Sequence, residues 1–76
     1  MKSKMTLSVW KAGGGKIEVG APVLIRVGSI EYEGKILKYL GDGFYIVEFP
    51  FLGQPIERVF QENKIIIEFW IKTATK

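Results

Sequence analysis

Apolar and polar positions alternate with period two along most of the chain, and no 3.6-residue apolar period of useful length appears. In PVLIRV (22–27), Val23, Ile25 and Val27 share one face and Leu24 and Arg26 the other. SIEYEGKILKYL (29–40) reads as a longer strand with Gly34 in its middle, a position where a strand bends or packs close to another backbone. GDG (41–43) permits positive φ and joins that strand as a hairpin to FYIVEF (44–49). Pro50 and Gly53 mark a loop, PIERVF (55–60) a short strand, and QEN (61–63) a single 3₁₀ turn. KIIIEFWIK (64–72) is the last strand, rich in the β-branched residues Ile65, Ile66, Ile67 and Ile71. The pattern predicts an all-β fold of five or six antiparallel strands, strongly bent at Gly34 and closed into a small barrel. A flat sheet of this size would leave two edges and an open face. No helix longer than about two turns is expected.

The amino-terminal stretch is less decided. KAGGGK (11–16) reads as a flexible break, since three glycines in a row lose too much backbone entropy for the interior of a strand or helix. Before it, Met5, Leu7 and Val9 alternate with Thr6, Ser8 and Trp10, which fits either a short extra strand or a solvated tail. The chain is accordingly divided into a basic segment 1–16, a β domain 17–72 and a tail 73–76.

Composition removes most chemistry. A chain of 76 residues makes one domain with a small core. It has no Cys and no His, so disulfides, thiolate sites and ordinary zinc sites are not expected. The commonest general base and the strongest nucleophile are absent with them, and no enzyme and no cofactor are expected. Glu31 and Glu33 share a strand face, but no apolar pocket is evident beside them to raise a pKa. GGGK lacks the spacing of a phosphate loop. Neither a secretory signal nor a membrane-spanning run is apparent, so a soluble, cytoplasmic protein with no membrane partner is expected.

The net charge of +3 is unevenly placed. Residues 1–16 carry four lysines and no acid, residues 17–63 seven acids and four bases, and residues 64–76 three lysines and one acid. Basic character sits at the ends, and the middle is mildly acidic. Lys2, Lys4, Lys11 and Lys16 with Trp10 are therefore the candidates for phosphate contact and base stacking, should DNA or RNA be the partner.

The order VGAPVLIRV, YEGKILKYLGDGFYIVEF, ERVFQENKI resembles the SH3-like small barrels, the Tudor type most of all. The matching positions are Gly20 before the first strand, Gly34 with Ile36 in the second, Val47 with Phe49 in the third, and the turn QEN before the last. The resemblance spans residues 19–67 and is one of fold pattern. It implies an SH3-like barrel of five or six strands with one short 3₁₀ turn before the last, with Tyr45, Val47 and Phe49 inside. It also implies an aromatic cage for a methylated Lys or Arg, for which Tyr32, Tyr39, Phe44 and Tyr45 are the available rings. The segment EFPFLGQ lacks the acid and Asn that complete such a cage. A second resemblance, to the Sm-like RNA-binding barrels, rests on PVLIRVGSIEYEGKI, FYIV and VFQENKIII. The chain departs from that family in having KAGGGK where an amphipathic helix should stand, and in lacking the base-binding turn after the second strand.

In the register implied by the resemblance, Leu24, Leu37, Phe44 and Ile46 point outward as one apolar stripe, and the last strand is apolar on both faces through Ile66 and Trp70. Strands apolar on both faces are normally covered on both. These six residues are the candidate protein interface. A non-enzymatic binding module is the expected function, acting through protein contacts and associating with itself or with another protein. A nucleic-acid-binding barrel is the alternative.

Overall fold

The computed structural model describes residues 2–70, the side chain of Trp70 excepted. Strand β1 (Lys2–Thr6) leads into helix α1 (Leu7–Ala12). Strands β2 (Pro22–Val27), β3 (Ile30–Gly41), β4 (Phe44–Phe51) and β5 (Gln54–Gln61) follow as an antiparallel meander. A 3₁₀ turn (Glu62–Lys64) then turns the chain into β6 (Ile65–Trp70), which pairs with both β2 and β1. The order across the single sheet is β1-β6-β2-β3-β4-β5, all neighbours antiparallel. The all-β class, the six strands and the 3₁₀ turn before the last strand are as the pattern predicts. Among the described residues β1 and β5 are the two ends of the sheet, and no pairing joins them.

The hairpins follow from local chemistry. Asp42 and Gly43 both take positive φ (54° and 83°), as do Leu52 and Gly53 (51° and 80°). Two consecutive left-handed residues are what a two-residue turn matched to strand twist requires. Gly34 is held by close approach, because a Cβ there would stand 2.5 Å from the Glu48 carbonyl oxygen and 3.0 Å from Val47 Cγ1. Of the two roles expected for Gly34, a bend or close packing, the close packing is what is seen: β3 passes too close to β4 there for any side chain.

One face of the bent sheet encloses the core, made of Leu7, Val23, Ile25, Ile36, Tyr45, Val47, Phe49, Ile65 and Ile67. The inward register of β4 is as expected. Val27, expected inside, is exposed, because it is the last residue of β2 and pairs with Ile30 across the tight turn.

The amino-terminal segment departs from both expectations. It is neither one strand over Met5–Trp10 nor a separate tail. Lys2–Thr6 form the edge strand beside β6, and the chain then turns into a helix where none was expected. Thr6 caps that helix, its hydroxyl accepting from the Val9 amide at 3.3 Å. Leu7 and Trp10 lie three apart, one helical turn, and both face the sheet, whereas Val9 points to solvent. Leu7 is wholly buried. The glycines are not a loose break either. Amides of Gly13, Gly14 and Gly15 donate to carbonyls of Val9, Lys11 and Trp10. Gly15 lies against the Trp10 indole, leaving no room for a Cβ. Residues 2–16 therefore add to the same core as the rest.

Candidate protein-binding surface

The outer face of β4 is set by its inner one. With Tyr45, Val47 and Phe49 buried, alternation sends Phe44, Ile46 and Glu48 outward. Two irregularities in β3 enlarge the apolar area there. The register with β4 shifts between Ile36 and Lys38 and again between Tyr39 and Gly41. Each inserted residue makes two positions of β3 oppose one of β4. Leu37 and Lys38 thus flank Ile46, and Leu40 and Gly41 flank Phe44. On the other side Ile46 pairs with Val59 of β5. Phe44 (39 % exposed), Val59 (56 %), Leu40 and the half-buried Leu37 and Ile46 form one apolar surface at the β4–β5 end of the sheet. Leu40 and Val59 were not anticipated. Val59 stands between Glu57 and Gln61 in an otherwise polar series, and that was its only signal.

Leu24 does not belong to this surface. Expected outside, it is only 8 % exposed. It lies in the lining of a groove of about 570 Å³, together with Pro22, Glu33, Pro50, Pro55 and Glu68. In the sheet Leu24 opposes Glu33 and Ile66, while the next row is the ion pair Lys35–Glu48 at 3.6 Å. That charged row separates Leu24 from Ile46 and breaks the stripe predicted from the sequence. Ile66 is half-buried beside Leu24 and Thr6, and the Trp70 side chain lies outside the described residues.

Of the four rings considered for a cage, two come together. Tyr39 and Tyr45 pack with centroids 4.8 Å apart. Tyr32 instead packs on Phe49 and Phe51 in the core layer, and Phe44 points to the opposite face from Tyr45. The tyrosine pair already holds a cation from this chain. Lys11 Nζ lies 5.1 and 5.3 Å from the two ring centroids, donates to Tyr45 Oη at 2.9 Å, and bonds Glu62 Oε2 at 3.0 Å. The hydrogen bond to Tyr45 and then that to Glu62 raise the Lys11 pKa above its ordinary value. The cluster fastens α1 to β3, β4 and the 3₁₀ turn.

Lys2 and Lys4 are similarly engaged. Lys2 meets Glu68 at 3.4 Å, and Lys4 meets Glu31 at 2.9 Å. Arg26 also bonds Glu31, and Lys4 first, then Arg26, hold that carboxyl below its usual range. Trp10 is no free stacking platform, because its Nε1 donates to the Lys16 carbonyl and its ring packs 6.0 Å from Phe69. Carboxylates thus occupy three of the four lysines where phosphates would have to bind.

Among the described residues no three His, Cys, Asp or Glu gather in a way that would hold a metal ion, and no helix is long and apolar enough to cross a membrane. No known family, curated protein or solved structure matches the chain.

Proposed function

We propose that the chain is a non-enzymatic binding module of the SH3-like type, acting through protein contacts and associating with itself. The fold part of this reading is supported by the four-strand meander, the 3₁₀ turn and the return of the last strand to the first strand of the meander. The observation that carries the function is the apolar surface of Phe44, Ile46, Val59, Leu37 and Leu40 at one end of the sheet. Large side chains gathered at one place, rather than scattered singly, mark an interaction site. Nucleic acid is the weaker reading, because Lys2, Lys4, Lys11 and Trp10 have partners inside the chain.

The test is the double substitution Phe44→Lys with Ile46→Lys. Both side chains point away from the core, so the variant is expected to fold, which circular dichroism checks. It is expected to run as a monomer under conditions where the natural chain is larger. A natural chain that is monomeric at high concentration, and unchanged by the substitution, would refute self-association.

A further inference from the structure

The outer edge of β5 has a symmetry that allows it to pair with itself. We infer that two copies of this chain join by antiparallel pairing of β5 with β5, centred on Val59; this rests on the reading of the chain as self-associating and names a backbone contact at the border of the apolar surface, which the pairing extends across both copies.

The geometry starts from which backbone groups point outward. The Glu62 amide donates to the Gly43 carbonyl at 2.8 Å, so that residue faces β4. The β4–β5 register runs without a shift from Phe44↔Gln61 to Phe51↔Gln54. Backbone N–H and C=O groups alternate sides along a strand. Phe60, Arg58 and Ile56 therefore bond β4, and Gln61, Val59, Glu57 and Pro55 turn their backbone groups to the open edge. No described strand pairs there. Pro55 has no N–H to offer, a device typical of edge strands, and the 3₁₀ turn begins at Glu62. The competent edge is the window 57–61, and its middle residue is Val59.

Two antiparallel copies in one sheet are related by a two-fold axis perpendicular to it, so one residue of β5 must meet itself. Centring on Arg58 sets arginine against arginine and draws Pro55 into the ladder. Centring on Glu57 sets two carboxylates together, and centring on Phe60 runs the ladder into the 3₁₀ turn. Centring on Val59 gives three hydrogen-bonded pairs: Glu57 with Gln61, Val59 with Val59, and Gln61 with Glu57. The side chains agree with this register. Val59, 56 % exposed in one copy, meets its equal, and the apolar row becomes Ile46-Val59-Val59-Ile46 across both copies. On the other face Arg58 opposes the Phe60 ring, a contact of the cation–π kind. Among the described residues neither Glu57 nor Arg58 has an ion-pair partner within its own chain.

The experiment uses the absence of cysteine from the natural chain. Facing Cα atoms in a hydrogen-bonded antiparallel pair lie about 5.5 Å apart, within disulfide range. Val59→Cys is therefore expected to form a symmetric disulfide dimer on mild oxidation, whereas Leu52→Cys, a more exposed position at the β4–β5 turn, is not. Val59→Lys places two ammonium groups at the axis and is expected to release a folded monomer. If the natural chain associates but Val59→Cys links no faster than Leu52→Cys, this edge is not the contact, and self-association stands by some other surface. If the natural chain stays monomeric at high concentration and Val59→Cys fails to link, the pairing and the wider reading fall together. Should Val59→Lys not fold, the cysteine pair alone decides.

Discussion

Lys11 illustrates what a single side chain contributes here. It is a third exposed, so its bonds to Tyr45 and Glu62 are partly screened. Replacing it with Met is expected to cost about 1 kcal/mol, read from the urea midpoint. The folded pKa is raised, so this contribution is complete below the unfolded value of about 10.4 and is lost as pH rises through the folded one. The gap between the natural chain and Lys11→Met should therefore be flat from neutral pH to about 10 and shrink only beyond it. A gap that already closes between pH 6 and 9 would assign the stabilisation to another group. Leu52 is the opposite case, a residue at odds with its backbone. It is 87 % exposed and holds φ at 51°, where a branched side chain is disfavoured. Leu52→Asn, which suits the first position of this turn, is expected to stabilise the fold by about 1 kcal/mol. An unchanged melting temperature would mean the turn is not strained.

Among the elements, α1 decides how the core is finished. Six residues form no stable helix alone, so its stability comes from packing Leu7 and Trp10 on the sheet and from the Lys11 cluster. Leu7→Ala should cost about 2–5 kcal/mol, a large fraction of the stability of so small a domain. A loss below about 1 kcal/mol would show that the helix is an ornament on a core complete without it. This element also marks where the sequence stopped being legible. The strands after Ile17 could be read, because Tyr45, Val47 and Phe49 alternate strictly and Gly34 interrupts at the point of closest approach. LSVWKA alternates too, yet folds as a helix, since six residues do not distinguish the two periods and Thr6 is a good cap for one of them. Leu24 was misplaced for a related reason. Alternation set its face correctly, but prolines from three separate places wall in the groove it lines. The meeting of Lys11 with Tyr45 and Glu62, far apart in sequence, left no trace in local spacing.

On the scale of the whole molecule, the inner face of the sheet is finished by α1, and an apolar surface beside an open strand edge is left at the β4–β5 end. The charges support the same division. Lys2, Lys4 and Lys11 of the first segment pair with acids of the body, so much of the uneven charge along the sequence is settled within the fold. The apolar surface around Phe44, Ile46 and Val59 and the open β5 edge have no such internal partner among the described residues. The most direct measurement is therefore the mass of the natural chain in solution across a wide range of concentration, by sedimentation. A species of twice the 8.6 kDa chain mass, dissociating on dilution, is what a self-associating module predicts. A single species at the chain mass throughout would contradict it.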